Sequence, residues 1–211
     1  MRPSDYLACR QFPCRDVDRT AFVVPAADID PARITIVMIS EAAPVDPADG
    51  YDAPGDPLFA RTTVAAFREA GAQVTSIPDI QDLGVYLTTA IKCAKTAYAI
   101  ERDTIDACSF LLQRELALFP NARTALLMGD TAIRSLNRIA IRSGAGRIFP
   151  NQPTYRLRRG FHAYRGVRLF PSYLQAGPAY FIETSKRRMI AEDIAAALKH
   201  AAEAAPVESL A

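Results

Sequence analysis

The 211-residue chain contains no apolar run approaching the roughly 18 residues that a membrane-spanning helix requires, although half of its residues are hydrophobic. Its opening, MRPSDYLACRQFPC, lacks the charged-then-apolar layout of a signal peptide. A cytoplasmic protein with no membrane partner is the expectation. Internal repeats and linker-like stretches are also missing, so a single domain over residues 1–211, large enough to bury most of its apolar surface, is the natural count. Histidine is scarce, with only His162 and His200, and cysteine is limited to Cys9, Cys14, Cys93 and Cys108. In a reducing compartment disulfides are unlikely, so clustered cysteines more often mean metal.

Acidic residues are nearly missing from one long stretch. From Arg123 to Arg168 there are ten arginines and one acid, Asp130, whereas the first 60 residues carry ten acids and five basic residues. Lys186-Arg187-Arg188 adds a second basic group. Arginine-dominated charge confined to one half of a chain is what a phosphate-backbone surface requires. A solvated basic face or an oligomer contact would give the same composition.

What is present is organised around residues 85–137. VYLTTAIKCAK (Val85–Lys95) reads as a buried strand ending at Thr88 and Thr89, then a bend, then Lys92-Cys93. Asp103 is expected to start a helix, with Asp106 as an acidic first-turn partner. Ile105, Cys108, Leu111, Leu112, Leu116 and Phe119 share one helical face. TALLM (Thr124–Met128) is a short apolar strand, Gly129 a turn, and Asp130 the cap of a further helix. Strand–helix–strand–helix is the unit of a parallel α/β sheet, and its crossover can bring Cys93 and Cys108 to the same end. Ligands bind at that carboxyl end. The expected fold is a three-layer α/β/α domain with a central, mostly parallel four-stranded sheet.

Residues 1–33 read as an irregular arm carrying Cys9 and Cys14. ITIVMIS (Ile34–Ser40) is the best candidate for the sheet centre. The Pro-, Asp- and Gly-rich stretch Ser40–Phe59 is a long loop of the kind that is usually functional. Thr62 or Thr63 is expected to cap a helix that Gly71 ends, and AQVTSI follows as a short strand. TYRLR (Thr154–Arg158) and GVRLF (Gly166–Phe170) alternate like strands around a hairpin or extended loop. PSYLQAGPAYF (Pro171–Phe181) is a second polar loop. Ser185 is expected to cap the closing helix, with Met189, Ile190, Ile194 and Leu198 inward, and the last residues read as frayed.

Four features stand in chain order: an apolar strand followed by Glu41-Ala42-Ala43-Pro44, the segment LTTAIKC, Cys108 in a helix followed by LLMGDTAI, and Phe170-Pro171-Ser172 before a basic helix. Together they resemble the uracil-DNA glycosylase superfamily, and most closely its iron–sulfur-containing bacterial and archaeal branch, from Cys9 to about Leu198. Taken alone, four cysteines fit either an iron–sulfur cluster or tetrahedral zinc. The resemblance implies a four-iron–four-sulfur (4Fe-4S) cluster on Cys9, Cys14, Cys93 and Cys108, structural in role. The first pair has four intervening residues, where the family usually has two.

The resemblance also implies base excision from DNA, with a monomer acting on uracil and on other deaminated bases. Such chemistry needs a carboxylate or oriented water facing the anomeric carbon, and a donor for the charge developing on the departing base. The base must first leave the stack for a pocket. Glu41 matches the family's acidic residue after the first strand, and Asp49 is the second choice for the water. Tyr51 and Phe59 are candidates to hold the base. Thr89 stands where the family has a base-reading asparagine, and Phe170 where it has a histidine before Pro-Ser. The leaving-group donor is therefore sought among Ser172, Tyr173 and Gln175. Arg61, Arg156, Arg158, Arg159, Arg165, Lys186, Arg187 and Arg188 are the candidate phosphate contacts. Two other readings fit these features: a binder of abasic or damaged DNA with little catalysis, and an iron–sulfur nucleic-acid-binding module with a structural role.

Overall fold

Successive side chains along the central strand face opposite layers, and this alternation explains the architecture. In a computed structural model, which describes residues 1–203, strand β2 (Ile36–Ala43) points Ile36 and Met38 to one side and Val37 and Ile39 to the other. All four are almost completely buried. Both faces are covered by helices, as near-continuous apolar strands demand. Helices α1 (Leu58–Glu69), α2 (Ile77–Asp82) and α7 (Thr184–Glu203) pack on the first side, through Phe67, Ile77, Ile80, Ile190 and Ile194. Helices α3 (Arg102–Leu116) and α4 (Asp130–Arg142) cover the second, through Leu112, Leu136 and Ile139. Each such side chain removed from water contributes about 1.5–3 kcal/mol.

The sheet has six strands in the order β1-β3-β2-β4-β6-β5, where β1 is Val17–Asp18, β3 Val85–Lys95, β4 Thr124–Met128, β5 His162–Tyr164 and β6 Val167–Ser172. Strands β3, β2, β4 and β6 run parallel. The expected four-stranded sheet is corrected to six by two antiparallel edge strands of two and three residues. Both are too short to show a pattern of their own, and each exists because a longer neighbour offers it a ladder. No helix among the described residues is long and apolar enough to cross a membrane. The reading of the last residues as frayed lies outside the described residues.

Several local expectations change. β3 continues through Lys92-Cys93 to Lys95, with a register shift where Ala42 pairs Ile91 and Ala43 pairs Ala94. Helix α1 begins at Leu58, so Thr62 and Thr63 lie within it, and the Thr62 hydroxyl donates back to the Leu58 carbonyl at 2.9 Å. Gly71 does close that helix: its amide and that of Ala72 bond to the carbonyls of Arg68 and Phe67. AQVTSI forms no strand, because Ser76 and Asp79 make a reciprocal capping box that starts α2. Thr154–Leu157 is a short helix, α5, rather than a strand, following Pro153. β5 and β6 do form a hairpin, whose two turn residues, Arg165 and Gly166, have φ of 49° and 79°, the turn that suits tight hairpins. The last short helix, α6, spans Ala179–Ile182.

Candidate metal centre and carboxyl-end site

The N-terminal arm is tied to the end of β3 and the start of α3. Val17 and Asp18 pair with Lys95 and Ala94, and the Val23 amide donates to the Lys92 carbonyl at 2.7 Å. Glu101, which precedes α3, gives the helix no side-chain cap. Asp16 supplies one from the arm: its carboxylate accepts from the Glu101 amide at 2.6 Å and from the Thr104 hydroxyl. These ties bring Cys9 and Cys14 to Cys93, near the carboxyl end of β3, and to Cys108, in the second turn of α3.

All four cysteines are free thiols and line one cavity of about 790 Å³. The Lys92 amide donates to the Cys108 sulfur at 3.4 Å. Burial, then repulsion from Cys108, Cys14 and Cys9, pushes the Cys93 thiol up to about 12. Burial likewise raises Cys108 to about 11. Among the described residues, no group of three or more His, Cys, Asp or Glu side chains is gathered as a ready ligand set for a metal ion. The donor set fits a thiolate-bound cluster in its chemistry: four soft sulfurs, a backbone N–H aimed at one of them, and Arg10 and Arg114 on the cavity wall to offset negative charge.

Beneath this cavity lies a fully buried ion pair that sequence reasoning did not single out. The Lys92 ammonium meets the Glu115 carboxylate, with both side chains completely shielded from solvent. Lys92 also donates to the Thr88 hydroxyl at 2.7 Å and to the Thr89 carbonyl at 2.6 Å. Glu115 accepts from the Tyr86 hydroxyl at 2.7 Å and from Thr88 at 2.8 Å. Burial, followed by the Glu115 charge, drives the Tyr86 phenol far upward, so it remains a donor. This network clamps α3 to β3, and with it Cys108 to Cys93.

The chain runs from β2 to β3 on one side and later crosses to β4 on the other, so the crevice between β2 and β4 is the switch point where α/β sheets hold ligands. Glu41, half-buried at the end of β2, lies across Gly129, and its Oε1 accepts from the Thr131 amide at 3.4 Å at the N-terminus of α4. Gly129 has φ +99°, and a Cβ built there would stand 2.5 Å from Glu41 Oε1. A side chain at that position would be strained by the positive φ and would displace the Glu41 carboxylate. Ala42, the next residue, packs in the cluster that contains Cys93 and Cys108. The candidate metal centre and the switch point adjoin.

The other expected site residues divide into free and engaged. Asp49 accepts from the Leu58 amide at 3.3 Å and so caps α1 across the loop. Tyr51 and Phe59 meet edge-on, with ring centroids 5.6 Å apart. The Tyr51 hydroxyl shares a buried polar cluster with Ser40 at 2.6 Å and with the Gln175 amide nitrogen at 3.0 Å; that nitrogen also reaches Thr63 at 3.3 Å. Burial, against these hydrogen bonds, raises the Tyr51 phenol. Thr89 is buried opposite Ser40. The Ser172 hydroxyl is fully buried and donates to Asp193, so it and Gln175 are not open to a leaving group in this arrangement. His162 bonds the Leu157 carbonyl, and His200 bonds Thr124 at the amino end of β4. Neither reaches the switch point.

The basic residues divide in the same way. Arg158 is engaged by Asp193 at 2.7 Å, by Glu192 at 3.2 Å and by the Met189 carbonyl at 2.8 Å. Lys186, Arg187 and Arg188 pair with Glu183, Glu69 and Glu192, and Arg61 pairs with Asp56. Arg156 and Arg159 are exposed. Arg158 and Arg187 find their partners 35 and 118 residues away, which leaves no local signal, whereas the local pairs of Arg61, Lys186 and Arg188 are exposed and weak. The chain matches no family model and no curated protein.

Proposed function

We propose that the protein is a DNA glycosylase that hydrolyses the N-glycosidic bond of uracil, and of other deaminated bases, in base excision repair. The observation that carries this reading is the meeting of four cysteines, from the arm, β3 and α3, in one cavity beside the switch point where Glu41 adjoins α4. Four cysteines lining one cavity suit a 4Fe-4S cluster, in which thiolates bind separate irons; a zinc ion on the same four sulfurs is the alternative. Cys9, Cys14, Cys93 and Cys108 would hold it. When bound, the cluster would supply a rigid tie between arm, strand and helix.

In the proposed reaction, the Glu41 carboxylate orients the water that attacks the anomeric carbon. Asp49 is the second candidate, although its capping of α1 already occupies one oxygen. The Tyr51–Phe59 pair offers an aromatic wall for a flipped base. Of the three residues considered for the leaving group, Tyr173 is the one whose hydroxyl is not already engaged among the described residues, and the Lys186 ammonium lies 5.4 Å from its ring. A phenol hydroxyl that is free to donate can meet charge developing on the departing base.

The closed state of Ser172 and Gln175 favours a second reading, in which the protein retains damaged DNA without efficient excision. Assay of oligonucleotides carrying uracil, hypoxanthine, xanthine or thymine mismatches separates the two. Release of a deaminated base, lost in Glu41→Gln with DNA binding intact, supports the enzyme. Tight retention without release selects the binder. Excision undiminished in both Glu41→Gln and Asp49→Asn removes these two carboxylates from the mechanism.

A further inference from the structure

A groove of about 490 Å³ lies between α4, the start of α3 and the segment around residues 147–152. Its wall carries Arg102, Arg134, Arg138 and Arg147, together with Asn151 and Gln152. None of these was among the expected DNA contacts. We propose that this groove tracks the phosphodiester backbone of a nucleic acid. The proposal deepens the glycosylase reading and rests on it for the choice of nucleic acid over other polyanions.

The geometry is preorganised. Asn137, buried in α4, donates from its amide to the Phe149 carbonyl at 3.0 Å and accepts from the Ile148 and Phe149 amides at 3.0 and 2.9 Å. Fully buried Phe149 anchors the same segment. Arg147 is thereby set on the wall facing Arg134 and Arg138, which stand one helical turn apart. Two carboxylates oppose the four guanidinium groups. Asp106 holds Arg138 in a bidentate pair and lies 3.8 Å from Arg102, while Asp130 lies 3.6 Å from Arg134 in an exposed pair. The Arg134–Asp130 and Arg102–Asp106 pairs are exposed, monodentate and weak, and yield readily to a phosphate, whereas Arg138 stays held by Asp106. Arg147 has no ion pair among the described residues.

Among the described residues no aromatic side chain lines the groove, so they offer guanidinium groups to a backbone and no platform on which bases could stack. Its end at Asp130 is one residue from Thr131, whose amide contacts Glu41. A strand lying in the groove would pass the switch point.

The test is fluorescence anisotropy with labelled single- and double-stranded oligonucleotides over a salt series, comparing wild type, Arg134→Ala/Arg147→Ala, and Arg33→Ala at the amino end of the sheet. The double variant should bind at least about tenfold more weakly, with a log–log salt slope shallower by about 0.9 on duplex, or about 0.7 on single strands, for each phosphate that is no longer neutralised. Arg33→Ala should bind like wild type, and all three should share one melting temperature. Wild-type affinity and slope in the double variant would overturn the groove, while excision measured in parallel would judge the glycosylase reading separately. Binding of poly-glutamate in preference to DNA would also overturn it and assign the groove to an acidic protein.

Discussion

Replacing Glu115 with glutamine removes one charge from the buried pair and keeps its shape. Glu115 and Lys92 are both completely shielded, and the glutamine carbonyl oxygen could still accept from Tyr86 and Thr88. The change takes away the negative charge facing the Lys92 ammonium. Breaking a buried pair on one side costs about 3–5 kcal/mol, because the remaining charge is left uncompensated. For a chain of this size each kcal/mol lowers the melting temperature by about 2–4 °C, so the drop should be about 6–20 °C. Replacing both partners, Lys92→Met with Glu115→Leu, removes the stranded charge and should recover part of the loss, the remainder being the cost of leaving the Tyr86 and Thr88 hydroxyls without their acceptor. The same clamp sets α3 on β3, so Glu115→Gln should also weaken retention of a cluster on Cys93 and Cys108. Urea or thermal unfolding monitored by circular dichroism measures the first effect, and absorbance the second. A Glu115→Gln protein within about 1 kcal/mol of wild type would refute the reasoning about this pair.

Gly129→Ala places a methyl group 2.5 Å from the Glu41 carboxylate and forces φ +99° on a residue that resists it. A stability loss of about 1–3 kcal/mol is expected, with excision falling more than stability accounts for, as read by single-turnover base release at a temperature well below melting. Metal loading of the cysteines should strengthen as pH rises. Burial holds Cys93 near 12 and Cys108 near 11, so both thiols are protonated when empty, and each must release its proton on ligation. Cluster reconstitution at pH 8 should exceed that at pH 6. Equal loading at both would contradict ligation by these thiols.

The parallel core was legible because its strands are short, apolar and buried on both faces. TALLM coincides with β4, and the apolar stretch after Arg33 lies at the sheet centre. Other elements misled for physical reasons. The alternation in TYRLR suits a strand, yet Leu157 is its only fully buried side chain, and one apolar residue is enough to seat a single helical turn. α1 starts four residues before the expected cap because Asp49 satisfies its first amide from across the loop, a contact invisible to a local pattern. That the cysteines come together in one cavity was legible, since a crossover between Cys93 and Cys108 has few ways to close. The fates of Ser172 and Arg158 were not legible, because both are decided by Asp193, which is distant in the chain. Three of the four groove arginines, Arg134, Arg138 and Arg147, sat within a basic run already apparent in the sequence, but only the fold shows that they and Arg102 line one groove.

The most direct measurement is iron and acid-labile sulfide per chain in protein purified without oxygen, read with the absorbance spectrum. The account predicts about four of each and a broad band near ~400 nm, abolished together in Cys93→Ser and Cys108→Ser. Colourless protein carrying zinc, or no metal at all on these four sulfurs, would contradict it.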